Sequence, residues 1–420
     1  MNQRDGTPWS PRVGGFLLAE TLSAIGSMAT MVAIWAYAAY KYDATPGEVA
    51  MFGVAFSLPG VILGPITGLV VDRIGPKGTL LGAKALGVVA SLLLVRAHDF
   101  QTLAMLSALH GISQAFSRPA LQSMPPRLVD EEHLARTNAL VGLTDQLSIV
   151  LGPVAAGVAI AAFGFSGAFV FDAFTYALGI LVLPLVHLRP APVHEGVDED
   201  HVPGLRDALE GWKMVGQVPV LRRVVMAAFS VHLLYGTAML AEPLYVRDVL
   251  ERSTNVFASL QTVFGIFLVV GGLVAARVGD RMATFGWVAL GVFASGFTAI
   301  LYLGTEAIVI AFVGVSLWGV ATAVIWGPST TVLQRNSPSS HHGRVMATEQ
   351  LAANLAMFLG LGLAGILISL IGVQPTMTAL GLSVAAIGAT LYLADRRDHT
   401  TPTIDPDAPV EAEAPAPALA

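Results

Sequence analysis

Residues 68–78 read "GLVVDRIGPKG", and the run leading into them, "MFGVAFSLPGVILGPITGLVV" (51–71), carries no charge. A bilayer-crossing helix needs about 20 mostly apolar residues. One stretch thus gives a membrane span, a charged turn with Asp72, Arg73 and Lys77, and the start of a second, antiparallel span. Gly75 and Gly78 let the chain reverse within a few residues.

The rest of the 420 residues repeats this pattern. Hydrophobic residues make up 54% and charged residues 12%, too few charges to coat a soluble core of this length. Apolar runs predict helices near 14–39, 47–71, 78–97, 101–122, 135–161, 166–187, 222–246, 256–276, 284–303, 306–333, 345–371 and 375–394. The fold class is therefore an all-α membrane protein of twelve spans. A polar segment, 189–220, separates an N-terminal six-helix bundle (14–188) from a C-terminal one (221–395). Within that segment "LRDALEGWKMV" sets Leu205, Leu209, Trp212 and Val215 on one face, which predicts a short amphipathic helix against the inner membrane surface or the bundle. Residues 396–420, rich in Pro, Ala and acid, read as a disordered tail.

Of the 23 Lys and Arg residues, only Lys41, Arg96, Arg247 and Arg252 fall on one side of these spans; the other 19 fall on the opposite side. Basic residues remain cytoplasmic, so both termini and the central loop are expected inside, in a multi-pass protein of the inner (cytoplasmic) membrane. The polar N-terminus shows no cleavable signal. The chain has no cysteine, which removes disulfides, thiolate metal sites and cysteine nucleophiles from consideration.

The opening stretch recurs. "GLVVDRIGPK" from Gly68 aligns with "GLVAARVGDR" from Gly272, 204 residues later. "LHGISQAFSRPA" aligns with "LWGVATAVIWGPS" at an offset of 208 (Gly111, Gly319), and "ARTNAL" aligns weakly with "GRVMAT" at the same offset (Arg136, Arg344). Three matches in order point to a duplicated six-helix unit, an architecture of secondary transporters with the binding site between the halves.

On these residues the chain resembles the major facilitator superfamily. "GLVVDRIGPK" is similar to its signature loop between helices 2 and 3, matched at Gly68, Asp72, Arg73, Gly75 and Lys77; Pro76 stands at a usually basic position. "LGPVAAG" resembles the helix-5 motif of exporter branches through Gly152, Pro153 and Gly157, with Ala156 in place of a glycine. "RPALQSMPPRLVDEEHLARTNAL" and "LEGWKMVGQVPVLRR" resemble the macrolide- and siderophore-efflux (drug:proton antiporter) branch, although "LHGISQ" has His110 where proton-coupled exporters commonly carry an arginine. The resemblance implies two pseudo-symmetric bundles. It also implies a conformational latch in which Asp72 meets the start of helix 11 (344–348), with Gly68, Arg73, Gly75, Lys77 and Arg136 around it. Arg73 and Lys77 are expected at the anionic head groups. The helix-5 glycines are expected to pack against the other half, with Pro153 loosening the helix.

Ionisable groups within spans are functional candidates by default. At 1.5 Å per residue, Asp145 lies roughly 15 Å into its helix; a buried carboxylate can load and release a proton as water access alternates. Asp145 and Glu20 are the proton-coupling candidates. His232, Tyr235, Met239 and Glu242 form one helical stripe, as do Glu20, Ser23, Ser27 and Met31. With His110 and the helix-10 ladder Trp318, Thr322 and Trp326, the first stripe supplies the cavity and substrate candidates; stacked aromatics suit a large apolar or cationic ligand. Asp172, in "FDAFTY", suggests a structural role, and His341 and His342 read as loop residues.

The expected function is secondary export of an amphipathic small molecule (drug, siderophore or metabolite) by alternating access with proton antiport. A proton- or cation-coupled importer of a polar nutrient is the alternative, and a membrane sensor or enzyme a remote one. No Walker-type phosphate loop occurs, so no ATPase is expected, and without a clustered His/Asp or Ser/His site the chain is not expected to be an enzyme. The expected partners are a small-molecule substrate, protons and the bilayer, with no cofactor, no metal, no nucleic acid, and a monomeric chain.

Overall fold

The computed structural model describes residues 11–129, 131–186, 188, 205–338 and 341–397. Twelve long helices carry the fold: α1 (Pro11–Lys41), α2 (Pro46–Ile74), α3 (Pro76–Leu94), α4 (Phe100–Gln122), α5 (Glu131–Phe163), α6 (Phe165–Val182), α7 (Pro219–Leu244), α8 (Thr254–Val278), α9 (Phe285–Leu303), α10 (Ile308–Arg335), α11 (His342–Ile371) and α12 (Val373–Arg397). No strand occurs among the described residues. Over those residues, ten helices are long and apolar enough to cross a membrane. Helices α2 and α4 are not among the ten. Parts of α2 have side chains outside the described set, and α4 carries His110, Gln114 and Arg118, which face the interior.

The expected boundaries shift at three places. Helix α5 begins at Glu131, α6 stops at Val182 and gives way to a 3-10 turn through Pro184, and α7 continues past Pro243 into a π-helical turn, Tyr245–Val249. Local chemistry starts and stops the helices. Thr45 and Glu48 form a reciprocal capping box ahead of α2, with Pro46 in its first turn. Asp99 caps α4 by accepting from the Thr102 N–H at 2.7 Å. Between α2 and α3 the chain reverses on Gly75 alone, at φ 84°, and Gly279, 204 residues later, ends α8 at φ 61°. A side chain would strain both turns. Gly78, by contrast, sits inside α3.

The repeat is visible in the packing. Helix α1 packs on α5 and α6, and α7 packs on α11 and α12 in the same way; α2 and α3 pair with α4 as α8 and α9 pair with α10. A Cβ on Gly111 would stand 2.5 Å from the Phe56 carbonyl oxygen, and one on Gly319 would stand 2.6 Å from that of Phe264. Phe56 and Phe264 are themselves 208 residues apart. In each half a glycine lets one helix lie against a neighbour's backbone.

The connecting segment contains a helix, Leu205–Gln217, that lies on α11 and α7, and so against the bundle. Val215 is buried and Trp212 exposed, while the side chains of Leu205 and Leu209 lie outside the described set. Residues 398–420, including the expected tail, also lie outside it.

Close contacts between the halves gather at one end of the molecule. Gly53 meets Leu361 and Gly365 meets the Pro46 carbonyl across α2 and α11; Gly157 meets Ala258 and Gly265 meets the Ile149 carbonyl across α5 and α8. The other end holds the α2–α3 turn, the connecting helix and the last residues of α12, and there the halves stand apart. Its basic residues give it the name basic end here.

Candidate functional site

Three lobes of one cavity open toward the basic end, and Arg118 lines all of them. The lobe against the N-terminal half, about 390 Å³, is lined by Glu20, Ser23, Ser27 and Met31 of α1, together with Lys84, Gln114, Asp145 and Tyr176. The central lobe, about 550 Å³, runs between Phe56 and Gln114 on one side and Met239, Met357 and Phe358 on the other. The third, about 640 Å³, is lined by His232, Trp326, Glu349 and Asn354 of the C-terminal half. A polar wall therefore faces one that is apolar in the central lobe, through Met239, Met357 and Phe358, and mixed in the third.

The polar wall is a connected network. Glu20 pairs with Lys84 at 3.1 Å, and Lys84 also donates to the Ser23 hydroxyl at 2.9 Å. Its stem lies in a groove that any side chain at Gly179 would fill, with its ammonium 5.5 Å from the Tyr176 ring centroid. Ser27 donates to Tyr176 Oη at 3.0 Å, and Gln114 donates to the same oxygen at 2.7 Å. Behind them Asp172, fully buried, accepts from Ser91 at 2.8 Å and lies 3.7 Å from His110 Nδ1. Sidedness counting places Lys84 with the inner-surface cations; the structure places it inside the bundle, 2% exposed. The count registers charge and span but not which helical face the charge occupies, so only the companion acid Glu20 could have signalled it.

Several other site residues differ from expectation. His110 belongs to the lining of the N-terminal lobe but is only 1% exposed, held at its back against Asp172 and Tyr176. Asp145 is half exposed and lies 3.5 Å from Arg118. Trp318 and Thr322 are buried, with Tyr235 stacked on Trp318 at 5.1 Å between ring centroids and hydrogen-bonded to Thr322. Of the ladder on α10, only Trp326 reaches the cavity. His232 lines the cavity with Nδ1 2.8 Å from the Ala228 carbonyl, and Met239 lines the central lobe. Glu242, one turn further along α7, is buried and accepts from Gln261 of α8.

In the helix-5 motif, Gly157 faces α8 of the other half, whereas Gly152 lies against Met28 of α1 in its own half. One of the two glycines thus serves the interface and the other the bundle. In the α2–α3 turn, Arg73 is exposed, and Lys77 donates to the carbonyls of Pro184 and Val186 at 3.1 and 2.7 Å. Lys77 closes the end of α6 instead of reaching head groups, because that end leaves carbonyls without helical partners. Gly68 has open space around it; the side chains of Asp72 and Arg136 lie outside the described set. The start of α11, expected to receive Asp72, holds the connecting helix: Glu210 pairs with Arg344 at 2.8 Å and Gly211 packs on Thr348. His342 bonds the Ser337 carbonyl at 2.7 Å.

At the opposite end the halves are pinned by residues that sequence reasoning did not single out. Arg247, in the π-helical turn, donates to the Ala39 carbonyl at 2.5 Å and pairs with Asp43 at 3.1 Å. Tyr40 donates to the Arg252 carbonyl at 3.0 Å. Among the described residues no cluster of His, Asp and Glu is placed to hold a metal ion.

Comparison with known proteins decides the family. Residues 16–360, and again 224–418, match the family model of the Major Facilitator Superfamily. The chain belongs to the major facilitator superfamily. It is 27% identical over 419 residues to the multidrug efflux pump Tap of Mycobacterium tuberculosis, covering 94% of this chain and 96% of that one. It is 20% identical over 387 residues to macrolide efflux protein A of Streptococcus pyogenes, covering 90% and 95%. Among solved structures it resembles a bacterial homologue of the human lysosomal transporter Spinster in an inward-facing, unoccupied conformation. That match has a TM-score of 0.73 at 16% identity and covers 92% of this chain and 98% of that one. The protein is a multi-pass transporter with efflux pumps among its distant relatives, not an enzyme.

Proposed function

We propose that this superfamily member exports amphipathic small molecules from the cytoplasm in exchange for protons. One observation carries the reading: a single cavity whose N-terminal wall is a hydrogen-bonded polar network and whose C-terminal wall presents Met239, Met357, Phe358 and Trp326, with His232, Glu349 and Asn354 beside them. A molecule with a polar head and an apolar body matches both walls at once. A polar nutrient would leave Met239, Met357 and Phe358 without complementary contact. The basic end is the cytoplasmic one by its Lys and Arg excess, so the cavity opens inward and the Arg247 contacts seal the outside. The relatives named as efflux pumps favour the outward direction.

The α2–α3 turn is the latch of the other state. When the cytoplasmic side closes, Asp72 meets the start of α11, whose unpaired N–H groups favour an anion; Arg136 and the glycines of the turn support it. Of the two acids singled out for coupling, Glu20 has Lys84 as counter-ion and Asp145 has Arg118, so proton loading at either must break an ion pair. The test is uptake of a panel of toxic compounds by cells with and without the protein, in the presence and absence of a protonophore. Protein-dependent exclusion that the protonophore abolishes is expected; protein-dependent accumulation would establish the importer instead. Asp72→Asn should leave the protein folded and remove most export, and undiminished export would dismiss the latch.

A further inference from the structure

Glu242 is the buried acid that the polar network does not explain. It is 8% exposed, and among the described residues it has no basic partner; its hydrogen bond comes from the Gln261 side-chain amide. Glu20 has an ammonium beside it, Asp145 a guanidinium, and Asp172 serine hydroxyls and an imidazole. Among the described residues, the surroundings of Glu242 supply no charge. Tyr302 of α9 and Tyr235 of α7 are its titratable neighbours, both phenols, and the Tyr302 hydroxyl has no hydrogen-bond partner among the described residues. From α8, α10, α11 and α12, no Asp, Glu, Lys, Arg or His occurs in 254–276, 308–334, 350–371 or 373–394. An ionised carboxylate in such a place costs more than one amide hydrogen bond returns.

Its position along α7 connects the cavity to the closed end. Met239, three residues before it, lines the central lobe. Pro243, directly after it, removes a helical hydrogen bond, and the π-helical turn Tyr245–Val249 follows. That turn holds Arg247, which pins the halves together through the Ala39 carbonyl and Asp43. The helix is irregular between the acid and the cation that closes the gate.

We propose that Glu242 is the proton-carrying group of this transporter and that its ionisation opens the external gate by drawing Arg247 away from Asp43 and α1. The proposal rests on the proton-antiport reading above. The carboxyl takes a proton from the external solution when that side is open and keeps it while the gate is shut, as in this structure. Substrate entering beside Tyr235 and Met239 drives the proton into the cytoplasmic cavity. The carboxylate left behind competes for Arg247, the nearest cation along its own helix, and the gate loosens. Asp43 and Glu48, exposed at the gate rim, and Asp248, bonded to Arg247 from the same turn, are the other acids that face the gate.

The absence of native cysteine allows a direct test. Ala44→Cys places a thiol at the gate, where the native residue is 1% exposed and its carbonyl faces Arg247 at 3.4 Å. Its rate of reaction with a membrane-impermeant maleimide, in purified protein in liposomes, is divided at each pH by the rate at the exposed position Met51→Cys. This ratio should rise severalfold from pH 5.5 to 8. In Glu242→Gln it should stay at its low-pH level throughout, and in Glu242→Asp it should rise with a displaced midpoint. If the ratio rises in Glu242→Gln as in the parent, Glu242 is not the carrier, although proton-linked gating stands. If it is flat in the parent, both proton-linked gating and the role of Glu242 are refuted. Should Glu242→Gln not fold, an unmoved midpoint in Glu242→Asp overturns the assignment by itself.

Discussion

Replacing Arg247 with alanine isolates what holds the gated end shut. The side chain is 18% exposed and makes two kinds of contact across the halves: a 2.5 Å hydrogen bond to the Ala39 carbonyl and a 3.1 Å ion pair with Asp43. Asp43 is 91% exposed, so its Coulombic contribution is screened and is left out of the sum. The contact with Asp248 lies within one half and does not bridge the two. What remains is the charge-assisted hydrogen bond to the Ala39 carbonyl, in a partly buried place and worth about 1.5–3 kcal/mol, with a longer and weaker one to the Ala44 carbonyl at 3.4 Å. At about 1.4 kcal/mol per decade, Arg247→Ala should favour the externally open state roughly ten- to a hundredfold. The assay is pulsed electron spin distance measurement between labels at Met51 and Leu370, exposed positions near the gated ends of α2 and α11. A longer-distance population should appear in Arg247→Ala without substrate. An unchanged distance distribution would show that the glycine-lined contacts hold that end closed by themselves.

Those contacts make a second prediction. A Cβ at Gly157 would stand 3.2 Å from Ala258 Cβ, whereas one at Gly265 would stand 2.8 Å from the Ile149 carbonyl oxygen. Gly157→Ala should therefore retain transport, and Gly265→Ala should lose most of it while populating the externally open state, as read by the same labels. In the N-terminal half, Lys84→Met leaves Glu20 buried without its counter-ion, a change of about 3–5 kcal/mol for a fully buried pair. Its melting temperature in detergent should fall by several degrees and recover when Glu20→Gln is added. At the α3–α4 turn, hydrogen bonds from the Thr102 backbone and side chain hold the Asp99 carboxyl below the usual carboxylate range. A depressed folded-state value stabilises above the unfolded one, near pH 4, and that stabilisation disappears as pH falls through it. Asp99→Ala should thus lower the melting temperature slightly at pH 7 and progressively less below pH 4.

Much of this arrangement was legible in the chain because a membrane imposes a simple rule on it. Span positions follow from apolar run length, and the 208-residue offset read from Gly111 and Gly319 reappears as two equivalent glycine-to-carbonyl contacts. Composition does not reveal which helix a given face meets. Lys84 counts as a surface cation until α1 is seen to bring Glu20 against it, and Lys77 counts as a lipid anchor until the end of α6 arrives beside it. Trp318 and Trp326 share one stripe, yet Tyr235 from α7 covers the first and not the second. Arg247 has no periodic signature in the sequence, being a single arginine just past Pro243; its contacts come from the carbonyls of a distant turn.

Alternating access between the two six-helix groups is tested most directly by measuring both ends of the α2–α11 seam in one set of samples. One label pair sits at Met51 and Leu370, the other at Ile74 and Leu351 toward the basic end. When the pH is raised or a transported compound is added, the first distance should lengthen as the second shortens. Distances that both stay fixed, or that lengthen together, would contradict the account.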